Sequence, residues 1–143
     1  MAYEIIWETK GAQFVFKEGA SYEEVWHANN EFVLDARFPN TMSVLYNLID
    51  AKKFSIKPKD IKKTAEMDAK LYEINPDIKI AIVGTLAVMK VIICMYKVYL
   101  RLALNGKIWE IETFNSIDDA RKWLDTKKTA AVADKPSNQA YTI

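Results

Sequence analysis

The chain has 143 residues, half of them hydrophobic and 27% charged, with four Gly and four Pro. That composition suits one globular domain with a two- or three-layer core and excludes a disordered chain. A formal net charge of +1 excludes a binder that relies on many phosphate contacts, so no nucleic-acid partner is expected.

Tyr3 to Thr9 reads as a strand, with Ile5 and Trp7 on one face and Glu4 and Ile6 on the other. Lys10-Gly11 marks a turn, and Gln13 to Lys17 returns antiparallel, alternating about Phe14 and Phe16. Ser21 and Glu24 have capping-box spacing and start a helix that ends near Asp35. Its core face carries Val25, Ala28, Asn29 and Phe32, with Trp26 and Val33 on the flank. Thr41 to Ile49 alternates as a strand ending at Asp50. AKKFSIKPKD then reads as a connecting loop, and Pro58 and Asp60 suit the first turn of a helix running to about Ile74. Ile61, Ala65, Leu71 and Tyr72 form its inward stripe, and Asp68 falls on that same stripe. Asn75-Pro76-Asp77 stops it.

Ile80 to Val83 is a short apolar, β-branched run suited to a strand covered on both faces, and it ends at Gly84. Thr85 can cap the helix that follows, to about Leu104. Lys90, Lys97 and Arg101 are its only charges and lie within about 20° of one line, which leaves Val88, Met89, Val91, Ile92, Val98, Leu100 and Leu102 for a broad apolar face. Those charges interrupt the stretch of about 20 apolar residues that a membrane span needs, so a core helix is expected. Cys94, the only cysteine, lies in this helix and reads as a buried small hydrophobe. Asn105-Gly106 ends the helix. Lys107 to Phe114 makes a last strand. Ser116 caps a final helix whose Ile117, Ala120, Trp123 and Leu124 are buried. Residues 1–125 are thus expected to form one domain, and 126–143 a polar, disordered tail. The N-terminus lacks a basic segment followed by a long apolar core, so a cytoplasmic protein is expected.

The order ββαβαβαβα gives an α/β fold, a mixed five-stranded sheet in which an antiparallel hairpin precedes parallel strands joined by helices. This order, with FVLDARFPN, NLIDAKKFSI, KDIKKTAEMDAK, NPDIKIAIVG, MYKVYL and IDDARKWL, resembles the STAS-like proteins related to the bacterial anti-sigma-factor antagonist. The likeness is to the SpoIIAA-like branch, which is also grouped with Sec14-type lipid-binding folds and whose functions are largely unassigned. In the antagonists a serine soon after an aspartate at the end of the third strand is phosphorylated. Here the matching run is Asp50-Ala51-Lys52-Lys53, with no serine, so the resemblance does not extend to that switch. Ser55 lies further along.

No catalytic set stands out. His27 has no HxxE, HExxH or cysteine pattern beside it, so no metal site is expected, and no phosphate loop or GxSxG elbow occurs. No cofactor is implied. Asp50, Gly84 and Asn115-Ser116 all follow strands expected to be parallel, and ligands of open α/β sheets sit beyond the carboxyl ends of such strands. With Lys52, Lys53, Asp68 and Thr85 they form the candidate binding rim. Lys52, Lys53, Lys57, Lys59, Lys62 and Lys63 make a basic cluster that suits an acidic surface. Two readings follow. One is a non-enzymatic regulatory or protein-interaction module that uses this rim, and that pairs with a second copy if apolar surface stays exposed. The other is a carrier or sensor of a lipid or other apolar small ligand held against the long helix.

Overall fold

Residues 3–126 are described by a computed structural model. The chain runs β1 (Tyr3–Glu8), β2 (Gly11–Phe16), β3 (Ala20–Ser21), α1 (Tyr22–Leu34), a 3-10 turn (Phe38–Asn40), β4 (Ser43–Asn47), β5 (Phe54–Ser55), α2 (Pro58–Ile74), β6 (Lys79–Val83), α3 (Ala87–Ala103), β7 (Glu110–Phe114) and α4 (Ile117–Leu124). Five strands form one sheet in the order β1-β2-β4-β6-β7. The β1-β2 hairpin is antiparallel, and β2-β4, β4-β6 and β6-β7 are parallel. This is the mixed sheet expected from the sequence. Beyond Thr126 the expected tail lies outside the described residues.

Local chemistry sets the element ends. The capping box closes, with Ser21 Oγ accepting from Glu24 N–H and Glu24 Oε1 accepting from Ser21 N–H, each at 3.2 Å. Pro58 starts α2 without losing a helical hydrogen bond, because its position has no partner to donate to. At the end of α3, Asn105 and Gly106 take positive φ of 55° and 91°, and Gly106 N–H donates to Arg101 O at 2.8 Å. That left-handed exit favours Gly.

Strand alternation divides the core in two. Ala12, Phe14, Phe16, Val44, Ile80, Ile82 and Ile111 face a large cluster shared with α1, α2 and α3. Leu45, Ala81 and Val83 face the other way, onto Ala120, Ile117, Trp123 and Leu124 of α4. The interior strand β6, between β4 and β7, is buried along its whole length, as its apolar run requires. Lys79 at its start is 3% exposed and donates to Trp123 O at 2.6 Å and Thr126 Oγ1 at 2.7 Å, with Nζ 4.2 Å from the Trp123 ring centre. It anchors the end of α4, and burial pulls its pKa down. Arg121 of α4 grips Glu8 of β1 through two bonds of 2.8 and 2.6 Å.

Several expectations are corrected. The segment read as a connecting loop contributes β5, which pairs in parallel with β3 as a second, two-stranded sheet. Two-residue strands are too short to show alternation. Thr85 is exposed and does not cap α3, whose N-cap is Leu86 with no side-chain bond. Val88, Val91, Val98 and Leu102 are exposed rather than buried, with Leu102 72% exposed. The helix packs on the sheet and on α2 with Met89, Ile92, Ile93 and Leu100 alone fully buried. Cys94, on the outward side, is exposed. Among the described residues no helix is long and apolar enough to cross a membrane.

Candidate functional site

Parallel strands display alternate side chains on one face, so β2, β4, β6 and β7 together lay an apolar floor of Phe16, Val44, Tyr46, Ile80, Ile82 and Ile111. Three helices stand over this floor. Val25, Asn29, Phe32 and Val33 reach in from α1, Ile61, Thr64, Asp68 and Leu71 from α2, and Ile92, Ile93 and Tyr96 from α3. They line a partly open cavity of about 110 Å³. Phe38, Ile78 and Trp109 line it near the amino ends of the strands, and Leu48, Phe54 and Ile56 near the carboxyl ends and β5.

A small polar group interrupts this lining. Tyr96 Oη donates to Asp68 Oδ2 at 2.5 Å, and Tyr46 Oη donates to Asn29 Oδ1 at 2.7 Å. Burial pushes the Asp68 carboxyl up to about 6, against the lowering effect of the Tyr96 hydroxyl. Burial also raises both phenols, and the nearby Asp68 charge adds to that rise. These signs fit a carboxylate taken out of water without a cation beside it. Thr64 Oγ1 is turned away from this group and donates to Asp60 O at 2.8 Å.

The rim residues are arranged differently. The carboxyl ends of β4, β6 and β7 are in step, with Leu48 N–H donating to Val83 O at 2.8 Å and Gly84 N–H to Phe114 O at 3.0 Å. Gly84 packs closely, and a Cβ there would lie 2.7 Å from Met89 Sδ, which would have to shift, and in ordinary contact with Leu48 Cβ at 3.4 Å. Asn115 Oδ1 accepts from Lys90 Nζ at 3.2 Å, and Ser116 Oγ accepts from Asp119 N–H at 3.2 Å. Ser116 therefore spends its acceptor on capping α4. Asp50 is exposed in a turn two residues past Leu48. Lys52 and Lys53 are exposed beside the second sheet, where Lys52 N–H donates to Glu18 O at 3.0 Å and Lys53 O accepts from Ala20 N–H at 3.0 Å. Gly84, Thr85, Asn115 and Ser116 thus share one end of the sheet with Asp50, while Asp68 belongs to the cavity beneath. Leu48 touches both.

The rest of the basic cluster, Lys57, Lys59, Lys62 and Lys63, is exposed, and so are His27 and Ser55. Among the described residues no group of three or more His, Cys, Asp or Glu side chains comes together to hold a metal. The cavity's polar group includes Tyr46, an alternating strand position in the sequence, and Tyr96, which the sequence does not single out. A signal existed: Asn29 and Asp68 were two polar residues at inward positions on different helices, and buried polar groups need partners.

No protein-family model and no curated protein matches this chain. The chain is similar to the crystal structure of an uncharacterized protein of the DUF3478 family with a SpoIIAA-like fold from Shewanella loihica PV-4. The two are 18% identical over 86% of this chain and 92% of that one, with a TM-score of 0.43. The fold named for that structure is the one the sequence resembles.

Proposed function

We propose that this chain binds a small, largely apolar molecule in the cavity between α1 and the α2-α3 pair, and acts as its carrier or sensor rather than as a catalyst. The carrying observation is the cavity itself. Protein interiors pack with few voids larger than a water molecule, and one water needs only about 10–15 Å³ on this measure. A cavity of about 110 Å³ is several times that size and is lined by aliphatic and aromatic side chains. Its size also limits the ligand. Drug-sized ligands take roughly 300–1,000 Å³, whereas benzene occupies an apolar cavity of about 150 Å³. A short aliphatic or single-ring body fits, and an intact membrane lipid does not.

The test is native mass spectrometry of gently purified protein, with denaturing extraction of anything bound, followed by melting of the emptied protein with toluene or isobutanol. A stoichiometric small molecule, or a rise in Tm that saturates with probe, is expected. Val25→Phe fills the cavity from α1 and should abolish the rise while the protein stays folded. A bare mass with no response to toluene, to isobutanol or to a charged analogue of isobutanol overturns the reading.

A second reading, a protein-interaction module, draws support from α3. Val88, Val91, Val98 and Leu102 follow 3-4 spacing and are all at least half exposed, with Val91 60% exposed. The charges on that helix are Lys90, Lys97 and Arg101, with no acid. An apolar seam with cations along one flank suits an amphipathic helix with acidic residues along one flank on a partner protein. A photo-cross-linker on Cys94 should yield one adduct in source-cell extract that Val91→Glu abolishes. Adducts indifferent to that substitution would sink this reading.

A further inference from the structure

Proton by proton, the cavity offers acceptors and almost no donors. The Tyr96 hydroxyl proton is committed to Asp68 and the Tyr46 hydroxyl proton to Asn29. The Thr64 proton goes to the backbone of α2 and the Trp109 N–H to Asn75 O. The Asn29 amide N–H group is the remaining side-chain donor among the described lining residues. Against it stand Asp68 Oδ1, the free lone pairs of both phenol oxygens and the second lone pair of Asn29 Oδ1. Asp68 is the one charged side chain among the described lining residues, and no Lys, Arg or His joins it there. Its hydrogen-bond partner is a neutral hydroxyl, so at neutral pH a half-buried carboxylate stands among apolar side chains without a counter-ion.

We propose that the occupant of this cavity is a small organic cation, a protonated amine on a short aliphatic or single-ring body, with its ammonium held by Asp68. This rests on the reading of the cavity as a small-molecule site and adds the chemical class of the ligand. An ammonium brings three donors and a positive charge to a wall of acceptors. The apolar floor takes the hydrocarbon body. An anionic ligand meets like charge and finds only the Asn29 amide NH₂ as a donor group, and a neutral ligand leaves the carboxylate without compensation.

The experiment titrates the emptied protein at pH 7.5 with isobutylamine, isobutanol and isobutyrate, three molecules of nearly one shape, and follows binding by calorimetry and ligand-observed NMR. Isobutylamine should bind at least tenfold tighter than isobutanol, and isobutyrate should not bind. Asp68→Asn should weaken the amine at least tenfold and leave the alcohol unchanged. If that variant does not fold, the three-ligand series on the natural protein decides alone. Equal affinity for amine and alcohol overturns the cation assignment while leaving an apolar site in place. No binding by any of the three, nor by toluene, overturns both.

Discussion

Replacing Asp68 by Asn should change how stability depends on pH in a way that isolates one enclosed carboxyl. Its ordinary value is 3.8, and burial raises it to about 6 in the folded protein. A folded-state value above the unfolded one means that the folded protein holds this proton more tightly. Its stabilising effect is fully present below about pH 4 and is lost as pH rises through about 6. At about 1.4 kcal/mol for each tenfold change in proton affinity, the loss completed by pH 7 is on the order of 3 kcal/mol, and roughly half of it is gone by pH 5. Asn is neutral throughout and can still accept from the Tyr96 hydroxyl through its amide oxygen. Urea unfolding of both proteins at pH 4.5, 5.5, 6.5 and 7.5, at fixed ionic strength and without ligand, gives the difference directly, because every other carboxyl titrates in both. The Asn variant should gain steadily on the natural protein up to pH 7 and then hold its lead. A difference that is flat from pH 4 to 7, or an Asp protein that is the more stable above pH 6, would refute the argument that this carboxyl is enclosed without a compensating charge.

Two further outcomes follow from single side chains. Asn75 donates from Nδ2 to Phe38 O at 2.9 Å and Thr41 O at 2.8 Å, while its own carbonyl accepts from Trp109 Nε1 at 2.8 Å. Asn75→Ala removes the donor to Thr41 O, while Phe38 O keeps the Thr41 N–H at 3.0 Å, and should cost about 1–3 kcal/mol in urea unfolding; Asn75→Asp, which sets a carboxylate against two carbonyls, should cost more. Cys94 lies exposed on α3, so a thiol reagent should modify it in the native protein at nearly the rate of a free thiol. Protection that is released only by denaturant would contradict the placement of that helix face.

What could be read from the sequence was whatever repeats at a period. The strands of the main sheet, the capping box at Ser21, the Pro58 start and the Gly106 exit each have a local cause, and the structure keeps them. Alternation also assigned Ile5 and Trp7 to one face of β1. What failed depended on neighbours. The pattern of α3 is apolar nearly all round, so periodicity could not say that Val91 and Leu102 would stay in water while Ile92 and Leu100 went inside. Thr85 is a good capping residue, but the chain enters α3 two residues later. For the site, the rule that ligands sit beyond strand carboxyl ends directed attention to Asp50, Lys52 and Lys53, which are exposed. Asp68 was legible as a misfit on an inward stripe, but its partners Tyr96, Tyr46 and Asn29 lie on three other elements. Only the tertiary fold brings them to one wall.

The knot around Asn75 also has a mechanical meaning. It clamps the 3-10 turn, the start of β4, the end of α2 and the approach to β7 at the end of the cavity bounded by Phe38, Ile78 and Trp109. At the opposite end, Phe54 and Ile56 are held by a parallel pair two residues long. The two ends of the cavity are therefore held unequally, by three hydrogen bonds at the Asn75 end and by a two-residue strand pair at the β5 end. Amides from Lys52 to Ile56 should exchange with solvent well before those from Asn75 to Ile80, and a bound ligand should slow the first group most.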